Sequence, residues 1–113
     1  MSVAISISEQ PDDIWMLQNR MFPWFASLVA ERFENDSELV SEVRTAEVVN
    51  GVCLDKLKLT DADLAGRLAS AFREIAAELA NDQRAIPPEV SESTDRCRQH
   101  FKELVSIIDR FLV

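Results

Sequence analysis

The chain has 113 residues and a formal net charge of −8, from 12 Lys and Arg against 20 Asp and Glu, with two glycines, two cysteines, one histidine and no tyrosine. Gly51 and Gly66 stand fifteen residues apart, so neither a dinucleotide fingerprint nor a phosphate loop can be written. One histidine and two cysteines exclude the three-His, His-Glu-x-x-His, four-Cys and two-Cys-two-His zinc sites, and no cofactor or metal is expected.

The length suits a single domain, residues 1–113, and an apolar fraction of 47% with 28% charged residues is ordinary for a globular protein. No stretch reaches the roughly 18 apolar residues of a membrane span, and Met1 to Ser8 lacks the basic start of a signal peptide. Cys53 and Cys97 form no Cys-x-x-Cys pair, which suits a reducing compartment. The expected location is the cytoplasm, without a native disulfide. The acidic balance argues against nucleic acid and membrane as partners and makes a basic protein plausible. Residues 1–36 carry six acids and two bases, half of the net charge in the first third of the chain.

Residues 1–8 read as an N-terminal extension. The first helix is predicted from Pro11, a good first-turn residue with Asp12 and Asp13 at the positive end of the dipole, to about Asn35. Pro23 falls inside it and is expected to kink it or split it in two. Residues 37–50 space Leu39, Val43, Ala46 and Val49 as a helix, with Gly51 as a helix stop. The β-branched content and Asn50-Gly51 read alternatively as a hairpin, in a sheet with Val3, Ile5 and Ile7. Thr60 as N-cap, with Leu59 and Leu64 as a hydrophobic staple, starts a helix over 61–81. After an interhelical loop at 82–88, the last helix is predicted from Pro88 to the C-terminus. The fold class is therefore mainly α, a bundle of three long helices plus a shorter middle element, with α+β as the alternative.

The faces of these helices carry the functional expectations. The last helix has one apolar stripe running from Cys97 through Phe101 and Leu104 to Ile108. In the 61–81 helix, Ala65, Ala69, Ala76 and Ala80 flank the large apolar residues and could seat a neighbouring helix or a second copy of the chain. Glu74, Glu78 and Asp82 recur every four residues, which is unfavourable unless something basic lies over them. The first helix holds Trp15, Phe22, Trp24, Phe25 and Phe33, an apolar arc wider than a surface helix normally needs. The helix is expected to be central in the bundle, or else to present an interface of the composition enriched at protein contacts. On the second reading the contact surface comprises Trp15, Met16, Phe22, Trp24, Glu31, Glu34, Asp36, Glu38 and Glu42.

His100 alone could act as a general base near neutrality. Its surroundings, His100-Phe101-Lys102-Glu103-Leu104, lack the His-x-x-Lys-Gly of histidine phosphotransfer domains, since the lysine is one position early and the glycine is absent. Cys53, Cys97 and His100 would be one ligand short of a structural zinc site. The leading expectation is a non-catalytic protein-binding module, an acidic inhibitor or neutraliser of a basic enzyme in the manner of immunity or antitoxin proteins. A dimeric secretion or assembly chaperone, and a small enzyme or phosphorelay carrier using His100, are the alternatives.

Overall fold

A computed structural model describes residues 2–90 and 93–112. The chain is mostly helical but is organised around a small sheet. Strand β1 (Ser2–Ser6) is central, paired antiparallel with β2 (Ile14–Gln18) and parallel with β3 (Gly51–Cys53). The helices are α1 (Phe22–Arg32), α2 (Ser37–Val49), α3 (Leu54–Thr60), α4 (Ala62–Ala80) and α5 (Thr94–Leu112).

The sheet overturns the expectation for the first 20 residues. Residues 2–6 are no extension: Val3 and Ile5 point into the core while Ser2, Ala4 and Ser6 alternate to the other face. Pro11–Asp13 form a single 3₁₀ turn, which closes the hairpin with the Ile7 N–H donating to the Asp13 carbonyl (3.0 Å) and the Ser8 hydroxyl donating to the Asp13 carboxylate (2.5 Å). Trp15 and Leu17 then face inward on β2, and Ile14, Met16 and Gln18 face outward. Pro23 does not kink a long helix; it lies in the first turn of α1, where its missing N–H costs nothing.

The middle of the chain combines both readings. Ser37–Val49 is helical, started by Asp36, whose carboxylate accepts the Leu39 N–H (3.2 Å). Asn50 takes the left-handed conformation (φ 65°) that ends the helix, a conformation Asn tolerates. The following strand makes no hairpin at Asn50-Gly51. It crosses to pair with β1, the Ala4 N–H donating to the Asn50 carbonyl (3.2 Å), and after Cys53 the chain turns into α3. Thr60 closes α3 by donating to the Leu57 carbonyl (3.0 Å), so it is not the N-cap of α4. Asp61 has that role, accepting the Leu64 N–H (3.0 Å), and Leu59 is exposed rather than stapled to Leu64.

Helix α4, not α1, is the central helix, packing against α1, α2, α3 and α5. Its large residues Leu68, Phe72, Ile75 and Leu79 are buried, and so is the flank of Ala65, Ala69, Ala76 and Ala80. Small side chains on that flank admit neighbouring elements of the same chain, leaving no alanine surface for a second copy. The last helix begins at Thr94 rather than Pro88, because residues 88–90 form a turn in which the Val90 N–H bonds the Pro87 carbonyl (3.0 Å). Ile86 and Val90 tuck into the core, so the loop between α4 and α5 extends past 88. The expected helical residues Ser91, Glu92 and Val113, and Met1 of the extension, lie outside the described residues.

The two glycines have opposite requirements. Gly51 has φ +148° and a Cβ there would collide with the Ala4 carbonyl, whereas a Cβ on Gly66 meets nothing within 4 Å. Gly66→Ala is therefore expected to stabilise the protein by about 0.5–1 kcal/mol, through helix propensity and loss of unfolded-state freedom. Gly51→Ala is expected to cost at least about 2 kcal/mol, from backbone strain and loss of β1–β3 pairing. Urea melts of the two variants check the pair, and equal effects would contradict it.

Candidate functional site

The residues expected to form the contact surface are divided by the fold. Trp15 (2% exposed) and Phe22 (0%) are core residues and belong to no surface. The Trp15 indole stacks on the His100 imidazole (ring centroids 4.6 Å apart, planes at 22°), lies against Phe25 and Phe101, and donates to the His100 backbone carbonyl (2.8 Å). The reason is the strand: period-two alternation turns Trp15 inward, where a helix would have left it on a flank. The same alternation puts Met16 outward, at 52% exposure. Trp24 is half-buried, its ring edge on Phe101 (6.3 Å).

The acids at the end of α1 and start of α2 are exposed or half-exposed, but not equally available. Arg67 of α4 gathers Asp36 (2.5 Å), its own-helix neighbour Asp63 (2.8 Å) and Glu38 (3.3 Å). Its hydrogen bond to Asp36, with the Leu39 N–H, holds the Asp36 carboxyl below its usual range, and the hydrogen bonds to Asp36 and Asp63 raise the guanidinium. Glu31, Glu34 and Glu42 have no ion-pair partner among the described residues, and these remain as free negative charge. On α1, Trp24, Leu28 and Glu31 share one face by helical phase, so two half-buried apolar side chains lead to Glu31.

The acid row on α4 does have basic cover, supplied by the chain itself. Arg32 of α1 contacts Glu74 and Glu78 (2.7 Å to the latter), Arg84 reaches Glu78 (3.0 Å), and Arg98 of α5 reaches Asp82 (2.8 Å). Burial pushes the Glu78 carboxyl up, but hydrogen bonds from Arg32 and Arg84 outweigh it and the net displacement is downward. Arg32 comes from α1 and Arg98 from α5, so the row is clamped to other elements of the chain.

His100 is engaged through both ring nitrogens. Nε2 bonds the Met16 carbonyl oxygen of β2 (2.6 Å), and Nδ1 lies 3.4 Å from the Glu103 carboxylate. Cys53 lies on β3 and Cys97 on α5, and no group of three His, Cys, Asp or Glu side chains gathers among the described residues, so Cys53, Cys97 and His100 do not converge. Beside His100 an open groove of about 700 Å³ runs between the end of β2 and the first half of α5. Sequence spacing could not reveal it, because its walls are 80 residues apart and one wall was assigned to a helix. Among the described residues, no helix is long and apolar enough to cross a membrane. Comparison with protein families, curated proteins and solved structures finds no match to this chain.

The clamped carboxylates set a pH dependence. Because Asp36 and Glu78 lie below their ordinary values of 3.8 and 4.5, their contribution is fully present above those values and is lost as the pH falls below them and through the lowered values of the folded state. Melting temperature is expected to fall between about pH 5 and pH 3. Glu78→Gln should melt lower than the parent at pH 7 and show a shallower acid slope; parallel curves would contradict the clamp.

Proposed function

We propose that this protein is a non-catalytic protein-binding module of the cytoplasm that captures and neutralises a basic partner enzyme. The binding surface is the outer side of α1 and the start of α2: Trp24 and Leu28 as the apolar part, and Glu31, Glu34 and Glu42 as the charged part. The observation that carries this reading is the unequal pairing of the acids. Asp36, Glu38, Glu74 and Glu78 are paired within the chain, while Glu31, Glu34 and Glu42 meet no ion-pair partner among the described residues, Glu31 on the same face of α1 as the half-buried Trp24.

Physical chemistry gives those free acids two uses. A cluster of like charge beside an apolar anchor speeds encounter with a positively charged surface, and wrong partners of the same sign are repelled. The anchor then supplies the desolvated centre that holds the complex, a role in which tryptophan is over-represented. Asp36 and Glu38 contribute long-range field but are held in place by Arg67. The engagement of both His100 ring nitrogens favours a binding role over phosphoryl transfer at that ring, and burial of the alanine flank favours this reading over a chaperone dimer joined there.

The test uses the triple variant Glu31→Lys, Glu34→Lys, Glu42→Lys, which breaks no intrachain ion pair and should fold with nearly the parent's stability. Immobilised parent and variant are compared for retained basic proteins, and association rates with the retained partner are measured at several salt concentrations. The parent should bind at least about tenfold faster at low salt, with the difference shrinking towards 0.5 M salt. Equal retention and equal rates would remove the proposal.

A further inference from the structure

The groove between β2 and α5 has a charge character opposite to that of the rest of the molecule. Eight of the twelve Lys and Arg side chains lie within ion-pair distance of carboxylates. Among the described residues, the four without a carboxylate are Arg20, Lys58, Arg96 and Lys102, and Lys58 lies over the Phe111 ring (5.7 Å). Arg20 and Arg96 both line this one groove, from opposite walls. Its described lining contains a single acid, Glu103, which is turned to His100. Among the described residues, the two guanidiniums in this groove meet no carboxylate, Arg20 donating through Nε to the Gln18 side-chain oxygen (3.1 Å), and both stand over an apolar floor that includes Met21, Val90 and Cys97.

Strand register adds a second feature. The Ala4 N–H donates towards β3, so Ala4 turns its backbone groups away from β2, and its antiparallel partner Met16 must turn its own away from β1. Gln18, two residues on, repeats that orientation. The carbonyls at this edge are already used, Met16 by His100 Nε2 (2.6 Å) and Gln18 by the Met21 N–H (2.9 Å). Among the described residues, the Met16 and Gln18 N–H groups meet no backbone acceptor, which makes a pair of donors about 7 Å apart, the repeat of an extended chain.

We propose that this groove binds an extended acidic peptide segment of a partner protein, added at the outer edge of β2. Its carbonyls accept from the Met16 and Gln18 N–H groups, its Asp or Glu side chains meet Arg20 and Arg96, and its intervening apolar side chains rest on Met21 and Val90. A lone small anion cannot satisfy two donors at strand spacing together with guanidiniums on both walls, whereas a strand with alternating side chains can. The site is separate from the acids of α1 and α2 and does not depend on them.

The experiment titrates the full-length ¹⁵N-labelled protein with a ten-residue peptide of alternating Glu and Val, and in parallel with its Gln-Val counterpart and with inorganic phosphate. The Glu-Val peptide should move the amide resonances of Met16, Gln18 and Arg96, weaken with added salt, and bind at least tenfold tighter than the Gln-Val peptide. Arg20→Glu with Arg96→Glu should lose that binding, and the milder pair Arg20→Gln with Arg96→Gln should weaken it, both with an unchanged melting temperature. Equal binding of the two peptides, shifts confined to other surfaces, insensitivity to the arginine variants, or complete competition by phosphate at the peptide's own concentration would each overturn the proposal.

Discussion

The burial of one indole side chain joins the two parts of this fold. Trp15 reaches from the edge strand to the backbone of α5, hydrogen-bonding the His100 carbonyl and stacking on the His100 ring, with Phe25 of α1 and Phe101 of α5 against it. Phe25 stacks in turn on Phe72 of α4 (5.8 Å). A large aromatic side chain contributes several kcal/mol when fully buried, and its single N–H must find an acceptor there. Here the acceptor and part of the apolar cover come from the same helix, so Trp15 anchors the sheet against α5. The return contact, His100 Nε2 to the Met16 carbonyl, holds the same junction from the other side.

Charge is arranged around that core in three ways. The acids of α4 and of the α1–α2 turn are tied to arginines from other elements and lock the helices together. Exposed ion pairs contribute little singly, but Arg32 and Arg67 each hold more than one carboxylate, and such networks constrain geometry better than isolated pairs. Glu31, Glu34 and Glu42 are left over as free negative charge. Arg20 and Arg96 are left over as free positive charge, on the groove beside the Trp15 junction. A net charge of −8 therefore conceals two surfaces of opposite sign.

Much of the helical part was legible in the sequence, because Leu64, Leu68, Phe72, Ile75 and Leu79, and likewise Cys97, Phe101, Leu104 and Ile108, repeat with the period of an α-helix and little else competes. The first strands were not. Ile14 to Leu17 is an unbroken apolar run of four, which fits either period, and Pro11 and Pro23 were read as one helix's start and kink although each stands in a first helical turn of its own. Asn50-Gly51 carried two true signals, a helix end and a strand start, that looked like rival readings. Of the expected contact residues, Met16, Trp24 and the acids remain at the surface, whereas the burial of Trp15 depends on the strand and Phe22 is buried in the first turn of α1. The ion pairs could not be foreseen, since Arg32 and Glu78 are 46 residues apart and no local spacing encodes them.

The account stands on Trp15 being the buried link between sheet and helices and not an exposed side chain of an amphipathic helix. The chain has two tryptophans, so a ¹⁵N spectrum should show two indole resonances, and hydrogen exchange can be followed on each. The Trp15 indole N–H is expected to exchange only on global unfolding, slowing in step with overall stability as denaturant is withdrawn. Exchange of the Trp15 indole within the dead time of the measurement, in protein that is otherwise folded, would contradict the structure at its central contact.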